Sequence, residues 1–117
     1  MTRHAVCSLG DLPPGTSMIV TIDRRSVGVF NVGGRLYALR NVCPHQGGPL
    51  CLGTVGGTMM PSRPQTYEYG LEGRVIRCPW HGWEFDLENG RSPFGAVGQR
   101  VRTYAVAVED GQVVVDA

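Results

Sequence analysis

Nothing in the 117 residues approaches the ~20 consecutive apolar residues that cross a bilayer. Residues 1–8 lack the apolar core of an export signal, so the expectation is a soluble, cytoplasmic protein with no membrane partner. Charge runs are missing too. The 11 basic and 10 acidic residues are scattered, with no basic stripe of the kind that grips phosphate backbones, and nucleic acid is excluded as an expected partner. There is no internal repeat and no low-complexity tract, which leaves one domain over residues 1–117, a length that buries one hydrophobic core. With four cysteines and no export signal, a disulfide-stapled secreted scaffold is a poor fit, whereas cysteine beside histidine in a reducing compartment points to metal.

What is present is β-forming. Residues 18–22, 27–32 and 36–39 are rich in β-branched and aromatic side chains and are separated by Asp23-Arg24-Arg25 and by Gly33-Gly34. The glycine pair supplies the positive φ of a tight hairpin, and Asp110-Gly111 does the same between residues 104–109 and 112–115. Residues 10–15 hold too many breakers for a helix and read as a turn after a short opening strand. From Asn41 to about Gly98 the alternation fades and glycine and proline become dense. Two short strands stay legible there, residues 74–77 and 83–87, the second closed by Glu88-Asn89-Gly90. The expected class is all-β, a base of residues 1–40 and 99–117 carrying an inserted, loop-rich lobe of about 41–98.

Each end of that lobe carries a cysteine and a histidine: Cys43-Pro44-His45 and Cys78-Pro79-Trp80-His81. A thiolate and an imidazole this close reach one metal centre from one turn, and two such turns make a four-ligand site. Glycines follow each histidine, Gly47-Gly48 and Gly82, leaving amide N–H groups able to point at sulfur. Two cysteines with two histidines also form the common structural zinc set. Zinc sites usually group like ligands, however, whereas two mixed turns let one iron take both thiolates and the other both imidazoles. Spacing therefore favours an iron-sulfur cluster and leaves a zinc-stabilised, non-redox binding module as the alternative.

The stretches Cys43-Pro44-His45-Gln46-Gly47-Gly48-Pro49-Leu50 and Cys78-Pro79-Trp80-His81-Gly82-Trp83-Glu84-Phe85-Asp86 resemble the two signature boxes of the Rieske family. The opening residues 9–15, the Gly33-Gly34 hairpin and residues 101–115 are also similar to Rieske ferredoxins, so the resemblance covers nearly the whole chain. It implies an antiparallel β-sandwich base with a small cluster-binding lobe, and one 2Fe-2S cluster held by Cys43, His45, Cys78 and His81. It further implies one-electron transfer, from a reductase to a terminal oxygenase or similar acceptor, with no substrate site on the chain itself. A small subunit of a multi-component oxidoreductase is the alternative within the family. A free-standing oxygenase is disfavoured, because after those four ligands only His4 remains to build a second, 2-His-1-carboxylate iron site.

Two departures follow from the resemblance. Cytochrome bc-type relatives brace their boxes with a disulfide whose positions match Gly48 and Trp80 here, and donate hydroxyls to the cluster from positions matching Trp83 and Phe85. Losing those donors destabilises the more negative reduced state, so a low potential within about −150 to +300 mV is expected. The spacer of residues 54–72 is longer than in similar ferredoxins and reads as an irregular loop insertion around Met59-Met60-Pro61-Ser62-Arg63-Pro64. Pro44, Pro49, Leu50, Pro79 and Trp80 are expected to shield the sulfurs and offer a small docking face. Elsewhere the plain readings are preferred: Cys7 and Cys51 as buried thiols, His4 as a surface residue, and Trp80 and Trp83 as packing residues. Tyr67 and Tyr69 are read as loop cover, and Arg63 and Arg100 as solvated charges.

Overall fold

The computed structural model describes residues 2–44, 47–60, 68–80, 82–92 and 100–117, with the backbone alone described at 57–60 and 68–73. Among the described residues, nine strands form two antiparallel sheets. The larger is built from β1 (Arg3–Ser8), β2 (Thr16–Ile22), β3 (Arg25–Val32), β4 (Arg35–Arg40), β8 (Thr103–Glu109) and β9 (Gln112–Asp116), in the order β1-β9-β8-β4-β3-β2. The smaller orders β5 (Thr54–Met60), β6 (Glu68–Arg77) and β7 (Glu84–Asp86) side by side.

Three two-residue hairpins set the register of the larger sheet. Gly33-Gly34 and Asp110-Gly111 take positive φ at both central positions, as a type I′ turn requires. Asp23 and Arg24 do the same, at φ 48° and 67°, and Ile22 pairs directly with Arg25. The expected three-residue connector is therefore two residues long. Asp tolerates the left-handed region, while Arg24 is held there by the ladder on either side.

Alternation then decides what each face buries. Along β2, Met18, Val20 and Ile22 turn inward while Ser17, Ile19 and Thr21 face out. They meet Val27, Val29, Ala38, Tyr104, Val113 and Val115, so the sheet folds over on itself and encloses one core. Asn31 closes the open end: its amide donates to Leu12 O at 2.8 Å and its carbonyl accepts from Gly34 N at 2.9 Å. The other face of β3 and β4, through Phe30 and Leu39, packs against Cys43, Leu50, Cys51, Ile76, Cys78, Phe85, Leu87 and Val101 in a second core.

The spacer between the boxes corrects the sequence reading. Thr54 pairs with Arg77 and Gly56 with Val75, and beyond a register shift the pairing resumes from Thr58↔Gly70 to Met60↔Glu68. Most of the expected loop is thus a long two-stranded ribbon with Met59 and Met60 on a strand. Glycines at 53, 56, 57, 70 and 73 masked the period-two pattern in the sequence. Residues 61–64 and Tyr67 lie outside the described residues.

Candidate metal centre

The two cysteine turns leave strands of different sheets, β4 and β6, that share the second core. β4 ends at Arg40 and Cys43 follows within three residues; β6 ends at Arg77 and Cys78 is next. Each then makes the same turn. Cys43 N donates to Gly48 O at 2.8 Å, and Cys78 N donates to Trp83 O at 2.8 Å, five residues on in both cases. Gly47 N returns to Cys43 O at 2.8 Å and Gly82 N to Cys78 O at 3.0 Å, four residues on in both cases. Gly47 and Gly82 sit at φ 75° and 72°, a conformation that strains any side chain bearing a Cβ. The glycine after each histidine is thus required by the turn, whatever it contributes to a ligand.

Cys43 and Cys78 are each 1% exposed and belong to one buried cluster with Leu50, Ile76, Phe85 and Leu87. No disulfide joins any of the four cysteines. The other two sequence-selected ligands, His45 and His81, lie outside the described residues. At the positions of the missing disulfide the loops still meet, because a Cβ on Gly48 would lie 2.8 Å from Cδ2 of the Trp80 indole. Trp80 is nonetheless 56% exposed, so it is a surface cover and not the packed residue expected of it. Trp83 does pack against the core, its ring 6.5 Å from that of Phe85. Neither ring carries a hydroxyl.

Two polar fasteners went unrecognised in the sequence. Asn41 Oδ1 accepts from Cys51 N at 2.8 Å, its amide donates to Ser26 Oγ at 3.2 Å, and its own N–H reaches Ser26 O at 2.9 Å. The start of the first box is thereby tied to β3. On the second box, buried Asp86 takes Arg74 in a two-pronged pair, Nε–Oδ1 at 3.1 Å and Nη2–Oδ2 at 2.9 Å, and also accepts Glu88 N at 2.8 Å. Arg74 is held further toward its charged form, first by that bond to Asp86. Glu88 continues the chain to Arg35 of the base at 3.5 Å. No local sequence signal marks this pair, since Arg74 and Asp86 are 12 residues apart.

The remaining thiols are inert in different degrees. Cys51 is buried against β3, where a Cβ on Gly28 would collide with its sulfur, and burial pushes its thiol up to about 12. Cys7 is only half-buried, its thiol also raised by burial and then by Asp11. His4 is half-buried: its side chain is 26% exposed, and its Nε2, 3.9 Å from Asp23 Oδ2, has no hydrogen-bond partner among the described residues.

The family model of the Rieske 2Fe-2S domain matches residues 2–105. The ferredoxin component of the naphthalene 1,2-dioxygenase system of Pseudomonas aeruginosa is 30% identical over 109 residues, which span 93% of this chain and 89% of that one. Among solved structures, the ferredoxin of carbazole 1,9a-dioxygenase from Nocardioides aromaticivorans IC177 superposes with a TM-score of 0.76 at 28% identity, over 98% of this chain and 97% of that one. A chain of the complex of reduced oxygenase and oxidised ferredoxin in carbazole 1,9a-dioxygenase superposes at 0.74 and 28% identity, over 97% and 91% of the two chains. The donor set fits the group that family carries: two buried thiols in matching turns, with neither committed to a disulfide. No helix among the described residues is long and apolar enough to cross a membrane.

Proposed function

Since the chain belongs to the Rieske 2Fe-2S domain family, we propose that it is the ferredoxin of an oxygenase system, taking one electron at a time from a reductase to a terminal oxygenase. Cys43, His45, Cys78 and His81 hold the cluster, which when bound supplies reversible one-electron chemistry at mixed thiolate and imidazole ligation. The matching turns of Cys43 and Cys78 carry this reading: the same pair of backbone bonds recurs at both. Those turns fix both sulfurs from below. Leu50, Ile76, Phe85 and Leu87 exclude water around them, and the exposed Trp80 ring closes the second turn against Gly48 of the first.

The lobe of about 41–98 is the cluster-bearing unit, and the chain has no substrate site of its own. Pro79 and Trp80, both exposed, belong to the face a partner meets, and a small face suits transient exchange. Four thiols without a disulfide suit a reducing compartment such as the cytoplasm. The relatives that support this are ferredoxin components of dioxygenase systems.

Stopped-flow mixing of the dithionite-reduced protein with a terminal ring-hydroxylating oxygenase tests it. Reoxidation coupled one-for-one to reduction of the oxygenase is expected. Loss of the electron to dioxygen alone, unaffected by the oxygenase, would overturn the reading.

A further inference from the structure

Every basic residue apart from histidine is arginine, and five of the 11 arginines are paired. Arg3, Arg25, Arg35, Arg74 and Arg77 all pair with carboxylates. Arg24, Arg40, Arg91, Arg100 and Arg102 are exposed and pair with none among the described residues, and of these Arg24 lies on the β2–β3 hairpin.

The other four are brought together in like-charged, directly opposed pairs. β4 and β8 pair through Ala38↔Tyr104 and Leu39↔Thr103, so the next rung sets Arg40 against Arg102, with Arg40 N donating to Arg102 O at 2.9 Å. Close by, Arg91 and Arg100 face each other across an isolated antiparallel bridge. Directly opposed residues put their side chains on one face, and like charges there cost stability. Two such pairs beside each other are a cost that folding does not explain.

Val101, between Arg100 and Arg102, turns into the buried cluster that contains Cys43 and Cys78. The two arginines therefore turn outward, where they line one polar groove with Asn89 and Thr103. Arg102 is also steadied by lying over the Tyr104 ring, 5.7 Å from its centroid, with Arg25 at 5.7 Å from the same ring. The chain segment 93–99 between the bridged arginines contains no acidic residue to neutralise them.

We propose that this arginine face docks a carboxylate-rich surface of a partner protein. Planar guanidinium groups bind carboxylates two-pronged, and opposed cations are relieved when a partner's anions come between them. A nucleic acid fits worse, because the rest of the chain holds seven arginines against ten acidic residues and repels a long phosphate backbone. That the partner is a redox protein rests on the electron-carrier reading; the docking chemistry does not.

The test uses the full, cluster-loaded chain, with poly-L-glutamate as the acidic probe and a DNA duplex of equal charge density beside it. Arg91→Gln with Arg100→Gln is compared with Arg3→Gln with Arg35→Gln, which makes the same charge change at two arginines that do not line this groove. Binding to poly-L-glutamate at low salt is expected to weaken about 5-fold in the first pair and by less than about 2-fold in the second, as two lost contacts at ordinary surface strength imply. The first pair is also expected to unfold at the same or a higher temperature than the parent, since the opposed charges are gone. Equal weakening in both pairs, or tighter binding to the duplex than to poly-L-glutamate, would overturn the proposal. Neither readout depends on electron transfer, so failure of the redox reading leaves this result intact and the reverse holds too.

Discussion

Trp80 lies over the bare Cα of Gly48, its ring 2.8 Å from where a Cβ would stand. By the resemblance, these two positions match those where relatives of another branch join the same loops by a disulfide. An indole against a glycine closes the gap by contact instead of a covalent bond. Such a cover yields more easily and adds nothing to cross-linking of the unfolded chain. Trp80→Ala is therefore expected to leave the fold intact and shorten the half-life of the bound cluster, followed by the decay of its visible absorption in air. Gly48→Ala pushes the ring aside and costs about 1 kcal/mol, the low end for overpacking because Trp80 is 56% exposed and can move. An unchanged half-life in Trp80→Ala would remove the indole from this role.

The Arg74–Asp86 pair fastens β6 to β7 just behind the second cysteine turn. Arg74→Ala leaves the Asp86 carboxylate, 6% exposed, without its cation. A destabilisation of about 2 kcal/mol is expected in urea unfolding, less than for a fully buried pair because the guanidinium side is 38% exposed. Asp86→Asn keeps a hydrogen-bond acceptor and should cost less. The reverse order would show that the charge at 86 is not what Arg74 serves.

Alkaline stability should carry the mark of Cys51. Its folded thiol is pushed up to about 12, while an unfolded cysteine titrates near ~8.5. A raised folded value means that the contribution is fully present below the unfolded value and is lost as pH climbs toward the folded one. Unfolding free energy should therefore fall from about pH 8.5 upward, and more steeply in the parent than in Cys51→Ala. Identical slopes in the two proteins would contradict this. In the same pH range iodoacetamide should modify half-buried Cys7 well before Cys51.

By the resemblance, Trp83 and Phe85 match positions that carry hydroxyl donors in high-potential relatives, and the potential is expected to lie low in the Rieske range of about −150 to +300 mV. Phe85→Tyr restores one donor and should raise it by about 40 mV, the ~1 kcal/mol of a hydrogen bond expressed for a one-electron couple. Protein-film voltammetry reads the shift directly. No rise, or a fall, would contradict the account of how the potential is set.

Much of this was legible in the residues. Gly33-Gly34 and Asp110-Gly111 announced their hairpins through backbone freedom, and the apolar β-branched runs of β2 and β9 announced strands of the base core. Asp23-Arg24 announced a break but not its length, since Arg24 does not favour positive φ and only the pairing of β2 with β3 holds it there. The β5–β6 ribbon was hidden for a related reason: its glycines carry no side chain to show a face. At the site, Cys43 and Cys78 were legible from spacing to their histidines. The shared turn geometry was not, because backbone hydrogen bonds leave no residue signature beyond Gly47 and Gly82. Asn41 and the Arg74–Asp86 pair were missed because their partners, Ser26 and Cys51 for the first, are distant in the chain.

The most direct measurement is iron and acid-labile sulfide content together with electron paramagnetic resonance of the dithionite-reduced protein. About two irons and two sulfides per chain, with the low average g value of mixed nitrogen and sulfur ligation, is the predicted result, and both signals should be lost in Cys43→Ser and Cys78→Ser. One zinc per chain with no reducible signal would contradict it.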